Sequence, residues 1–116
     1  MPSPRRIEKL NILFREQIAA TVDREIEFAE GTFVTITRVV ISSDARYAAV
    51  YISVFGGGEQ DAFDLLKKNV YHIQQLINRA VRMRPVPKIT FRIDEDEERR
   101  ERVEQSIAQL KQRGEV

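Results

Sequence analysis

The chain has 116 residues, 42% of them apolar and 32% charged, with a net charge of +1 at neutral pH. That length fits one domain able to bury about 65% of its unfolded surface, and the apolar content excludes a disordered chain. With no cysteine and a single histidine, His72, it has no disulfide staple and no thiolate metal site, which fits a reducing compartment.

The opening residues Met1 to Arg6 are basic, but no apolar stretch follows them. No signal peptide is therefore expected, no run is long enough to span a membrane, and the expected location is the cytoplasm. Residues 5–27 are predicted as an amphipathic helix: Ile7, Leu10, Phe14, Ile18, Val22 and Ile26 recur at spacings of three and four. Gly31 breaks the pattern. Residues 33–41 are rich in β-branched side chains and are predicted as a strand. Ser42, Ser43 and Asp44 supply turn chemistry, and residues 46–55 form the second strand of an antiparallel hairpin. Ala48, Val50, Ile52 and Val54 share one face of that strand; Tyr47, Ala49, Tyr51, Ser53 and Phe55 share the other.

Gly56, Gly57 and Gly58 end the hairpin. A helix is predicted over 59–80, with an apolar stripe of Phe63, Leu66, Val70, Ile73, Leu76 or Ile77, and Ala80, and with room for a bend near Asn69. Pro85 and Pro87 forbid helix. Residues 88–93 alternate polar and apolar and are predicted as a third strand. Five acids follow, Asp94 to Glu98; Asp94 with Glu97 resembles a capping box for a last helix over about 97–112. The fold class is α+β, with element order α-β-β-α-α-β, an extra C-terminal helix and a three-stranded sheet packed against helices. Residues 1–116 make a single domain with an ordered core of about 5–94.

Catalytic chemistry finds little support. No nucleophile elbow surrounds Ser42, Ser43, Ser53 or Ser106, and His72 reads as an ordinary helix-surface or interface residue. The acidic run lacks the spaced oxygens and turn glycine of a calcium loop, so it reads as helix capping and solvated charge. The triple glycine lacks the lysine of a phosphate-binding loop. No catalytic residue, metal site or cofactor is assigned.

The informative segment is 65–93. It holds Lys67, Lys68, Arg79, Arg82, Arg84, Lys88 and Arg92, and no acid. Such segregation is costly through self-repulsion unless an anion binds there, and phosphate suits arginine's forked donors. The competing reading is that these are solvated side chains on different faces. Arg5, Arg6, Lys9 and Arg15 form a second basic group.

The α-β-β-α-α-β order resembles a type II KH domain, a fold that places RNA against a helix pair and a strand. The stretch Val34 to Asp44, the stretch Ala48 to Gly56 and the stretch Arg82 to Asp94, with its basic patch, proline and strand ending in aspartate, resemble the signature of the ribosome-binding factor A family over roughly residues 5–110. That resemblance implies a non-enzymatic, cofactor-free assembly factor. It would bind the small ribosomal subunit and its RNA as a monomer, assist late maturation and 5′-end processing, and be linked to cold adaptation. RNA contacts would come from Arg79, Arg82, Arg84 and Lys88, with Lys67, Lys68, Arg5, Arg6 and Lys9 contributing. No glycine occurs between Gly58 and Gly114, so the usual GxxG clamp is absent. The family's Ala-x-Gly helix kink falls on Asn69, Val70 and Tyr71, and Gln74 stands where the family tends to carry arginine, which implies one phosphate contact fewer. Tyr71 either stacks on a base or packs, and packing is the reading taken. Two other functions fit the same residues: a KH-like module for a non-ribosomal RNA, and a protein-interaction adaptor, which the missing clamp favours.

Overall fold

A computed structural model of the chain describes residues 3–96. The helix predicted over 97–112 lies outside the described residues. Helix α1 spans Pro4–Glu25. The Ser3 hydroxyl accepts from the Arg6 N–H at 3.3 Å, and Pro4 sits in the first turn, where a backbone donor has no partner to lose. The helix stops short of the expected Glu27 because Ile26 turns to extended geometry, φ −115° and ψ 126°, while its N–H still bonds the Val22 carbonyl. Phe14, Ile18, Val22 and Ile26 are buried, and Ile7 and Leu10 pack beside them, so the predicted stripe is the face that meets the core.

Strands β1 (Phe33–Ile41) and β2 (Tyr47–Phe55) form the antiparallel hairpin. Its turn is held by Asp44, whose carboxylate accepts from the Ser42 hydroxyl at 2.6 Å and from the Arg46 N–H at 3.1 Å. These bonds, the Ser42 one foremost, hold the Asp44 carboxyl below the usual aspartate value. Ala45 takes the left-handed φ of 59° that closes the turn. In β1 the register shifts between Ile36 and Arg38, which leaves Thr37 as an extra residue in the ladder. After β2, Gly56 has a φ of 92°, and a Cβ there would overlap the Gly31 carbonyl oxygen, so only glycine fits.

Strand β3 (Lys88–Ile93) lies parallel to β2, giving the sheet order β1-β2-β3. A parallel neighbour requires a crossover, supplied by α2 (Glu59–Lys68) and α3 (Val70–Ala80). The helical stretch expected over 59–80 divides into two helices at Asn69, where the bend was expected and as the α-α order requires. At Asn69, φ −100° and ψ 7° break the helical path, and the Asn69 side-chain N–H donates to the Leu65 carbonyl at 2.8 Å. The helices cover one sheet face. There Ile36, Val39, Ile41, Ala48, Val50, Ile52, Ile89 and Phe91 meet Leu66, Ile73 and Ile77 in one core. Ala80, expected in the stripe, is exposed. The opposite sheet face carries no helix among the described residues. From α1, the Asn11 amide oxygen accepts the Ile41 N–H at 2.9 Å, which sets the N-terminal half of α1 over the turn end of the sheet.

Candidate nucleic-acid interface

Between α3 and β3 lies an open groove of about 480 Å³. Val70, Val86 and Ile89 give it apolar walls, Gln74 and Asn78 give it amides, and Tyr71, Arg84 and Lys88 complete its lining. Gln74 explains why the groove has a fixed width. Its Oε1 accepts the Ile89 N–H at 2.8 Å, and its Nε2 donates to the Pro87 carbonyl at 3.2 Å and to Asn78 Oδ1 at 3.0 Å. One side chain therefore ties the middle of α3 to the start of β3. The absent arginine is replaced by a structural amide rather than by empty space.

Tyr71 is 74% exposed. This corrects the packing reading: its position at the first turn of α3 points the ring away from the core, and it lines the groove instead. Arg84 is exposed on the segment between α3 and β3, where a cis Arg84–Pro85 peptide lies. Its Nη1 donates to the Val81 and Met83 carbonyls at 2.9 and 2.7 Å, which fixes the guanidinium and leaves Nη2 and Nε for an anion. Lys88 is exposed at the start of β3.

The same end of the molecule gathers further cations. The Lys88 N–H bonds the Arg46 carbonyl at 2.8 Å, so Arg46, which lies outside the basic segment and was not among the expected contacts, stands beside Lys88. The only sequence signal for Arg46 was its place next to a turn. Arg79 closes α3, and Arg82 follows it, both exposed. Arg5, Arg6 and Lys9 lie on the first turns of α1, whose N-terminal half the Asn11 bond sets over this end. Asp44 and Glu8 are acids at this end. Lys67 and Lys68 are not part of it. They form the last turn of α2, where cations complement the helix dipole, and Lys67 Nζ lies 5.4 Å from the Phe63 ring centroid. The length of α3, about 15 Å at 1.5 Å per residue, separates them from Arg79.

The acidic run is also corrected. Asp94 is buried at 3% exposure, so it is not solvated charge. Its Oδ2 accepts the Thr37 hydroxyl at 2.6 Å and lies 3.6 Å from Arg38 Nε. Its proposed capping partner Glu97 lies outside the described residues. His72 is exposed on α3, 3.5 Å from Glu25 at the end of α1. Among the described residues, no group of three or more His, Cys, Asp or Glu could hold a metal ion, and no helix is long and apolar enough to cross a membrane.

Residues 6–107 match the family model described as ribosome-binding factor A. The chain is 33% identical to ribosome-binding factor A of Thermomicrobium roseum over 114 residues, 97% of this chain and 88% of that one. It is 36% identical to that of Akkermansia muciniphila over 97 residues, 82% and 76% of the two chains. Its fold is similar to the crystal structure of ribosome-binding factor A from Thermus thermophilus, with a TM-score of 0.66 at 22% identity, covering 75% of this chain and 94% of that one. It is also similar, with a TM-score of 0.63 at 24% identity over 72% and 90%, to the T. thermophilus factor as fitted into the cryo-EM map of a 30S complex. The α-β-β-α-α-β order, the three-stranded sheet, the matched family model and the relatives spanning nearly the whole chain agree: this chain belongs to the ribosome-binding factor A family.

Proposed function

We propose that this chain is an assembly factor that binds the small ribosomal subunit through its RNA, without catalysing a reaction, and assists late maturation and 5′-end processing of that RNA in the cytoplasm. The observation that carries the reading is the α3–β3 groove. It has apolar walls, fixed width and an exposed tyrosine, and its charged lining residues are both cations, Arg84 and Lys88. That combination suits an extended strand of RNA. A base can stack on Tyr71, amides and apolar walls can hold the next, and Arg84, Lys88, Arg79 and Arg82 can neutralise phosphates. Arg46, Arg5, Arg6 and Lys9 extend the cationic surface at one end, and Lys67 and Lys68, at the α2–α3 junction next to Val70 and Tyr71, contribute at the other. Family membership supports the ribosomal partner, as does the related T. thermophilus factor of the same fold, placed in a 30S complex. Occupying a subunit surface while its RNA matures would delay premature joining.

The test is co-sedimentation with separated ribosomal particles at two salt concentrations. Wild type is compared with a chain carrying Arg84→Ala and Lys88→Ala. The wild type is expected to travel with free small subunits and not with joined ribosomes. The double variant is expected to lose at least about tenfold in occupancy, more at the higher salt, because phosphate contacts release counterions. In cells lacking the chain, small-subunit RNA with an unprocessed 5′ end should accumulate. A wild-type chain that stays at the top of the gradient would sink the ribosomal reading.

A further inference from the structure

The groove uses only one side of β3. The other side belongs to the open sheet face, which carries a regular pattern of rings and cations. Lys88 pairs with Tyr47 and Arg92 with Tyr51 across the parallel ladder, and Arg38 pairs with Tyr51 across the antiparallel one. Tyr47 is 59% exposed. The Arg38 guanidinium lies 4.1 Å from the Tyr51 ring centroid, and the buried Asp94 carboxylate anchors it there. The result is a planar surface of a kind on which a base can stack. Within the three strands no acid faces this side. Asp94, Glu95 and Asp96 stand beyond the end of β3, with Asp94 at 3.6 Å and Asp96 at 3.9 Å from Arg38.

We infer that this open face is a second contact for single-stranded RNA, continuous with the groove around the edge of β3. Bases stack on Tyr47 and on the Arg38–Tyr51 pair, while Lys88 and Arg92 take phosphates. Two features of the structure select this occupant. Along β3 and the adjoining part of β2 the face sets Lys88, Arg92 and Arg38 among Tyr47 and Tyr51, which matches a polyanion bearing flat bases, while the exposed apolar residues Val40, Phe33 and Phe55 lie toward β1 and the far end. Lys88 belongs to both surfaces: it lines the groove and stands opposite Tyr47 on the sheet. The two ring–cation pairs are four residues apart along the strands, about 13 Å, a span for two or three stacked bases. The inference rests on the RNA-binding reading of the groove.

The experiment measures binding of a fluorescent, unstructured 12-nucleotide RNA to the full chain by anisotropy, together with crosslinking by 4-thiouridine in the same RNA. The variants are Tyr47→Ala with Arg92→Ala, Tyr47→Phe, and the groove pair Arg84→Ala with Lys88→Ala; melting curves check that each still folds. The expected result is a loss of about tenfold for Tyr47→Ala with Arg92→Ala, near-wild-type affinity for Tyr47→Phe, and wild-type crosslinks at both Tyr47 and Tyr71. If the wild type and every variant fail to bind RNA, the groove reading falls and this inference with it. If only the groove pair loses affinity and no crosslink maps to Tyr47, the groove reading stands and the sheet-face contact is overturned. The sheet-face contact is likewise overturned if Tyr47→Ala with Arg92→Ala leaves RNA affinity unchanged and, in parallel sedimentation and amine-crosslinking runs, alters only self-association or only crosslinks to residues 97–116. The face would then belong to a second copy or to this chain's own C-terminal segment.

Discussion

Asp94 shows how much a single residue's role depends on partners far away in the chain. Read in sequence it is the first of five acids, and its neighbours suggest a cap. In the fold its carboxylate is buried because the extra residue in β1 brings Thr37 against it and Arg38 beside it. A register shift of that kind leaves no local mark among β-branched residues, so the sequence could not announce it. Asp94→Ala removes an acceptor from a bond to a charged group and releases Arg38 from its position on Tyr51. It should cost about 2 kcal/mol, read as a shift in the denaturation midpoint, whereas Glu95→Ala on the exposed neighbour should change stability by less than about 0.5 kcal/mol. Asp44 gives the pH counterpart. Its folded-state pKa is depressed, so the turn's contribution is present above the unfolded value of about 4 and is lost as pH falls through the lower folded value. Asp44→Asn should flatten the acid limb of the stability profile in that window.

At the level of elements, periodicity carried most of the information. The stripe from Ile7 to Ile26 and the alternation in β2 are both the buried faces of their elements, because a 3.6-residue or two-residue repeat is imposed by the core itself. The bend near Asn69 was also expected, and the break between α2 and α3 falls there. No proline or glycine marks it, and the side-chain bond to Leu65 that accommodates it is open to any short amide. Gln74 was read as a missing phosphate ligand, and the structure makes it the strut that sets the groove. Gln74→Ala would leave the Ile89 N–H and the Pro87 carbonyl without this partner, which should cost about 1–3 kcal/mol. Amide hydrogen exchange at Ile89 should accelerate well beyond that of the central strand β2. Equal slowing or equal speeding of both strands would contradict the strut.

Across the whole molecule, the basic segment proved to be two things. Arg79, Arg82, Arg84 and Lys88 gather at one end with Arg46 and the start of α1, while Lys67 and Lys68 neutralise the end of α2. A run of like charges in sequence says nothing about which face each side chain will occupy, and a helix about 15 Å long is enough to divide it. Arg46 and Lys88, far apart in chain order, are brought side by side, while the Asn11 bond holds the start of α1 on the β1 side of the same end. A third line of cations, through Arg38 and Arg92, was visible in sequence only as alternation, with no sign that no helix among the described residues would cover that side.

The two amides have a consequence at high concentration. Ser42 and Lys88 direct their N–H groups at β2 and Arg46, so the next residues, Ile41 and Ile89, direct theirs outward along the two margins of a three-stranded sheet. Those outward donors are what another molecule's strand would seek. Asn11 from one helix and Gln74 from another already occupy them, and the irregularity at Thr37 bends the longer margin away from a straight template. One outward donor near the turn end of each margin is thereby already engaged, which blunts sideways strand pairing there.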